Sequence, residues 1–281
     1  MKEFNLETPL KHFLSVSVFE PKERAKAAIM ICSATGVKQS LYYKFAQFLA
    51  AQDYVVYTFD YAGIGQSKPD SLKRFNTSAS QWASNDIESV LKMIKTKHSD
   101  IPLFALGHSI GGQLLGIVPS NAQLDGIVLV AAQMGYWKMW RGIQKYSMAL
   151  LWYVLMPVSI KFKGYFPGKL LGSSEDLPKD MALEWRSWCL SPNYLFDKFE
   201  GADNNYQRVT VPLYSISAED DKFAPQNVVN WISQRYQNAK ITRVHLMPKE
   251  LNLKSIGHFG YFRSDKKIVW HRLLDVLKKL S

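Results

Sequence analysis

The segment Gly107-His108-Ser109-Ile110-Gly111-Gly112 sets a serine between glycines, directly after the apolar run Leu103 to Leu106. A serine in that pattern sits on a tight strand-to-helix turn. The nucleophile's backbone is strained there, and its flanking positions must be Gly because no Cβ fits. The turn lifts Oγ clear of the sheet, and the helix that follows aims its first amides at developing negative charge. Ser109 is therefore the candidate nucleophile for acyl transfer. The plainer alternative is a glycine-rich turn with an idle serine. The buried strand before it and the apolar segment Leu114 to Val118 after it weigh against that reading.

An activated serine needs a base, and the base needs an orienting carboxylate. With this kind of turn the partners follow in the order serine, acid, histidine, on loops at the carboxyl ends of later strands. The strand-like run Val211 to Ser217 leads into Ala218-Glu219-Asp220-Asp221-Lys222-Phe223-Ala224-Pro225, a loop with three carboxylates. Asp221, four residues before the Pro that opens the next helix, is the first choice, and Asp220 is the alternative. The loop could also serve only to cap that helix. Of six histidines, only His245, His258 and His271 follow the acid. His245 falls inside a strand-like run and His271 inside a helical one. His258 lies in the glycine-flanked loop Ser255 to Phe262, where an imidazole can reach across the sheet. It is the candidate base, and His12 and His108 are read as core or supporting residues.

A tetrahedral intermediate also needs hydrogen-bond donors for its oxyanion. The Ile110 amide, next after the nucleophile, is one. The other is expected in the loop after Ala27 to Cys32, at Thr35 or Gly36. The glycines of Asp60-Tyr61-Ala62-Gly63-Ile64-Gly65-Gln66-Ser67 allow a tight crossing beneath this site. That loop lacks the Lys and third Gly of a phosphate loop.

Alternating elements position these residues. Strand-like segments are expected at His12–Phe19, Ala27–Cys32, Tyr54–Phe59, Leu103–Leu106, Gly126–Ala131, Val211–Ser217 and Ile241–Leu246. Helices are expected at Leu41–Ala51, Trp82–Lys97, near Gln226–Arg235, and at Asp265–Leu280. The alternation predicts a doubly wound, mostly parallel α/β sheet. From Gln133 to about Tyr206 it stops. This stretch holds many aromatics and four prolines but no clean strand, and it is too long for a simple connection. The expected division is a core of residues 1–132 and 207–281, with a helical cap at 133–206. Trp137, Trp140 and Trp152 are candidate substrate contacts in that cap. The same aromatics could instead form its internal core.

With 281 residues, 47% hydrophobic and 21% charged, the composition excludes a disordered or fibrous chain. The net charge of +11 is concentrated late, with eleven basic and three acidic residues from Arg235 on. No nucleic-acid motif accompanies it, so no nucleic-acid partner is expected. Cys32 and Cys189, far apart in apolar contexts, predict buried reduced thiols. The first residues carry no apolar run, and Ala149 to Met156, closed by Pro157, is too short to span a bilayer. A cytoplasmic protein is expected.

Taken together, Tyr42-Tyr43, Asp60 to Ser67, Gly107 to Gly112, Ala218 to Pro225 and Gly257-His258 resemble the α/β-hydrolase superfamily. The branch most similar is that of serine-aminopeptidase and monoglyceride-lipase-like hydrolases. Within it, the aromatic insertion and the ending Gly257-His258-Phe259-Gly260-Tyr261-Phe262-Arg263 resemble a group of bacterial hydrolases. The resemblance implies the α/β-hydrolase fold and Ser-His-Asp chemistry, with Ala34-Thr35-Gly36 standing where the family has His-Gly-x. It implies a serine hydrolase acting on a small-molecule ester or thioester through an acyl-enzyme, without metal or cofactor. A serine at the nucleophile excludes the aspartate chemistry of dehalogenases and epoxide hydrolases. Acyl transfer to an alcohol, a binding protein that kept the fold, and transient membrane-surface contact through the insertion and the basic C-terminal end are the alternatives.

Overall fold

The computed structural model describes residues 1–171 and 175–280. Its strands are Lys2–Glu7 (β1), Phe13–Phe19 (β2), Ala27–Cys32 (β3), Tyr54–Phe59 (β4), Leu103–His108 (β5), Gly126–Val130 (β6), Tyr165–Phe166 (β7), Leu177–Pro178 (β8), Leu213–Ala218 (β9) and Ile241–Leu246 (β10). Eight of them form one sheet in the order β1-β2-β4-β3-β5-β6-β9-β10. The pairings of β1 with β2 and of β2 with β4 are antiparallel, and all others in this sheet are parallel. The doubly wound, mostly parallel α/β sheet expected from the alternation is the sheet observed. Every residue of β3, β4, β5 and β6 is buried. Such strands are mostly apolar because helices cover both faces, and the buried polar side chains Thr58 and His108 are hydrogen-bonded. On one face pack Phe45, Leu49, Trp270 and Leu273, and on the other Trp82, Leu91, Leu114 and Ile232.

Register brings the functional loops to one edge. Cys32 lies beside Gly107, His108 beside Val130, Val130 beside Ile216 and Ala218 beside Leu246. The carboxyl ends of β3, β5, β6, β9 and β10 therefore open side by side. In a parallel sheet that edge is where ligands bind.

Some local expectations change. β1 went unrecognised because its residues alternate polar and apolar at an exposed sheet edge, where no continuous run is needed. The helix expected at Trp82 begins earlier, at Ala79. Ser78 and Gln81 exchange side-chain and backbone hydrogen bonds there as a capping box. Pro157 does not close the apolar stretch before it. Gly142–Leu150, Leu151–Leu155 and Met156–Lys163 follow one another as a single helix, with π geometry in the middle part. A wide turn there admits the proline ring that an α-turn would exclude. The segment expected to lack strands contains the two-residue pair β7 and β8. Both cysteines are free and buried, as read from the sequence. Among the described residues, no helix is long and apolar enough to cross a membrane.

Candidate active site

Ser109 occupies the turn between β5 and the helix Ile110–Leu115, with φ 54° and ψ −121°. L-residues rarely adopt that conformation, and it persists only when the surroundings enforce it. The flanking glycines explain how. A Cβ at Gly107 would collide with the Gly112 backbone, and one at Gly111 with the Cys32 carbonyl. The Ser109 N–H donates to the Val130 carbonyl at 2.9 Å, which ties the turn to β6.

His258 and Asp221 meet from separate loops. His258 Nδ1 lies 2.8 Å from Asp221 Oδ2, both side chains being buried. A carboxylate can only accept here, so Nδ1 carries the proton and Nε2 is the basic nitrogen. Asp221 Oδ1 accepts from the amides of Phe223 at 3.0 Å and Ala224 at 2.9 Å, which fixes the carboxylate plane. Asp220 turns the other way. It accepts from the amides of Ile256 at 2.8 Å and Gly257 at 3.1 Å, bracing the loop that carries His258. The remaining histidines lie apart: His245 pairs with Ser217 Oγ at 2.8 Å across β9 and β10, and exposed His271 packs on Phe48.

A buried chain links this loop to the loop after β3. Burial drives the His108 pKa well below its usual value, so the ring is neutral. Its Nε2 must donate to the His258 carbonyl at 2.9 Å, and its Nδ1 therefore accepts from Tyr42 Oη at 2.8 Å. Tyr42 Oη in turn accepts from the Ala34 N–H at 3.0 Å. The Ala34 amide is thus committed, and Thr35 is the next residue able to offer one. Thr35 lines the cavity above Ser109, whereas Gly36 does not and lends its carbonyl to the Glu175 amide at 2.7 Å.

That cavity has a volume of about 380 Å³, and Ser109, His258 and Thr35 share its wall with an apolar surface from the insertion. Trp140 and Trp152 line it, and Trp137 does not. Trp140 is buried and donates to the Lys222 carbonyl at 3.2 Å, beside Asp221. Trp152 is buried against Trp185, the rings at 4.9 Å and nearly perpendicular, so it serves both as wall and as internal packing. Trp137 meets the exposed Tyr153 edge-on, with ring centroids 5.9 Å apart.

Gln133 was not anticipated. It follows β6 and accepts the Ser109 hydroxyl at 3.3 Å, so the resting serine points to Gln133 and not to His258. The available signal was its position, a polar residue just past the strand beside the nucleophile strand.

The family model described as serine aminopeptidase S33 matches residues 23–249, which carry Ser109 and Asp221. The chain belongs to this family. Membership makes it an α/β hydrolase, in agreement with the resemblance drawn from the motifs. Mouse monoglyceride lipase is 28% identical over 121 residues, covering 42% of this chain and 39% of that protein. The rat enzyme is 26% identical over the same length. The match thus spans about two fifths of these curated relatives. Among solved structures, a carboxyl esterase from Bacillus coagulans superposes with a TM-score of 0.66 at 13% identity, covering 99% of this chain and 98% of that one. A monoacylglycerol lipase from Paleococcus ferrophilus gives 0.61 at 14% identity, covering 95% and 99%. At such identities the likeness is one of fold.

Proposed function

We propose that this hydrolase cleaves a carboxylic ester or thioester through an acyl-enzyme on Ser109. The observation that carries the reading is the buried His258–Asp221 pair opening into the cavity that also holds Ser109. On substrate binding the serine hydroxyl turns from Gln133 to His258 Nε2, which removes the proton as Oγ attacks the carbonyl carbon. Apo geometry of this kind tightens only in the complex. Asp221 keeps the imidazole in the reactive tautomer and stabilises the imidazolium. The amides of Ile110 and Thr35 hold the oxyanion. His258 then protonates the leaving alcohol or thiol, and water repeats the sequence on the acyl-enzyme. In this reading residues 133–206 form a cap, with Trp140 and Trp152 shaping the acyl pocket and Trp137 outside it.

The test is a fluorophosphonate probe followed by p-nitrophenyl esters from short to long acyl chains. Stoichiometric labelling and turnover with a chain-length optimum are expected. A chain that is neither labelled nor active on any ester of the series would remove the reading.

A second reading concerns the outer face of the Gly142–Lys163 helix. We propose that it rests on an anionic lipid surface. Ile143, Tyr146, Leu150, Tyr153, Val158 and Phe162 project from it, with Ile143 78% and Phe162 81% exposed. An apolar stripe of this size on one helix calls for a partner. Lys138, Arg141, Lys145, Lys161 and Lys163 flank it, and no Asp or Glu occurs between Gln133 and Leu171. Each basic side chain contributes about 1 kcal/mol near such a surface. The opposite face of the helix lines the cavity through Met148, Leu151 and Trp152, so docking would bring the pocket to the lipid. Sedimentation with phosphatidylglycerol vesicles is expected, weakened by salt and by Phe162→Ser combined with Tyr146→Ser. Equal indifference to phosphatidylglycerol and phosphatidylcholine vesicles overturns the reading, as does a dimer in solution that these substitutions dissolve.

A further inference from the structure

The polar groups beside Ser109 form a chain whose direction can be assigned. The Trp185 indole is a donor only, and its Nε1–H goes to Tyr194 Oη at 3.0 Å. Tyr194 sends its own hydrogen onward to Gln113 Oε1 at 2.7 Å. The Gln113 amide is thereby oriented, and its Nε2 donates to Gln133 Oε1 at 3.3 Å. The Ser109 hydroxyl donates to the same oxygen. Gln133 Oε1 therefore has two donors, while its Nε2 carries two hydrogens that meet no acceptor among the described residues. Gln133 is 8% exposed, Gln113 1% and Tyr194 fully buried, and all three line the cavity. Tyr194 even holds a left-handed backbone, at φ 57°, in this arrangement. Nε2 is open to the cavity, so a bound molecule that displaces solvent from it must supply an acceptor or leave the amide buried and unmatched.

The placement says which part of a substrate would supply it. Strand β5 lies between β3 and β6. The Thr35 loop follows β3 and Gln133 follows β6, so an oxyanion held by Ile110 and Thr35 lies on the far side of Ser109 from Gln133. The leaving group must sit by His258, which protonates it. His258 lies against His108, which packs with Tyr42 and Phe262 on one side, whereas Tyr194 and Trp152 belong to the other. Of the substituents on the tetrahedral carbon, the acyl chain is the one left for Gln133. An acceptor hydrogen-bonded to its Nε2 lies roughly 4–6 Å from Ser109 Oγ. That span reaches the second or third acyl carbon.

Resting on the ester-hydrolase reading above, we propose that Gln133 is a specificity-determining residue that donates from Nε2 to an oxygen on the second or third carbon of the acyl group. The preferred substrates are then hydroxyacyl or oxoacyl esters and thioesters, not plain alkanoyl ones. The Gln113–Tyr194–Trp185 chain is the positioning device that presents this donor.

The experiment compares kcat/KM on p-nitrophenyl butyrate with that on its 2-hydroxy and 3-hydroxy derivatives, each divided by the ester's spontaneous hydrolysis rate. The wild type is expected to favour at least one hydroxy ester by roughly tenfold, the effect of one neutral hydrogen bond. Gln133→Glu keeps an oxygen for Ser109 and Gln113 but presents no amide donor to substrate, and Gln133→Leu removes the group entirely. In both, the preference is expected to fall toward one, with fluorophosphonate labelling reporting a folded site. A ratio near one in the wild type overturns the inference while leaving the ester-hydrolase reading intact. A preference that survives both substitutions does the same. Neither labelling nor turnover of any of the three esters overturns both together.

Discussion

Ser109→Ala is expected to lower ester turnover by a factor on the order of 10⁶ and to abolish fluorophosphonate labelling. Among the described residues, nothing else near the cavity offers an equivalent oxygen on a strained turn. Alanine retains the Cβ, so the unusual backbone at this position, φ 54° and ψ −121°, is neither relieved nor worsened. The variant loses only the 3.3 Å hydrogen bond to Gln133, and thermal unfolding is expected to stay within a few degrees of wild type. His258→Ala should cost as much as Ser109→Ala, and the double variant no more than either, because a nucleophile and its base act as one unit. Labelling that persists in Ser109→Ala would sink the nucleophile assignment. If His245→Ala were the inactivating change, the base would have to be sought across β9 and β10, where His245 pairs with Ser217.

Asp221→Asn is expected to lower turnover by roughly 10⁴-fold with little change in structure. The carboxylate accepts the His258 Nδ1 proton and two backbone amides, and an asparagine can satisfy the amides with its oxygen. Its NH₂ group then faces Nδ1 and forces the proton to Nε2, the nitrogen that must act as base. Asp220→Asn has the opposite signature. Among the described residues its carboxylate accepts only from the amides of Ile256 and Gly257, so the substitution weakens the loop by about 1–2 kcal/mol and leaves most of the turnover. Measuring kcat and the unfolding midpoint on both variants separates the two positions. A reversed ranking would assign the orienting role to Asp220.

Neighbouring carboxylates such as these show where sequence reasoning stops. β3, β4, β5 and β6 could be read directly, because a strand covered on both faces is apolar at nearly every residue and leaves a run with few breaks. The turn at Ser109 was equally readable. The close approach of Gly107 to Gly112, and of Gly111 to Cys32, admits no side chain, so glycine is written at those positions. The resemblance to the α/β hydrolases rests on local features of this kind, since each is a constraint the chain imposes on itself.

What required the folded chain were the contacts between loops distant in sequence. Asp220 and Asp221 differ by one position, and the spacing to Pro225 only ranks them; the 2.8 Å approach of Asp221 to Nδ1, across 37 residues of sequence, and the turn of Asp220 to the Ile256 and Gly257 amides separate them in space. That Thr35 and not Gly36 lines the cavity beside Ser109 is likewise decided by the folded loop. Pro157 reads as a terminator because the π turn that accommodates it has no sequence signature. Gln133, Gln113, Tyr194 and Trp185 are unremarkable polar and aromatic residues when read in order. They become a directed chain only because a donor-only indole starts it and the sheet brings its end beside Ser109. Backbone rules act over a few neighbouring residues and are written in their types, whereas the direction of a buried hydrogen bond depends on which groups the fold leaves within 3 Å of one another.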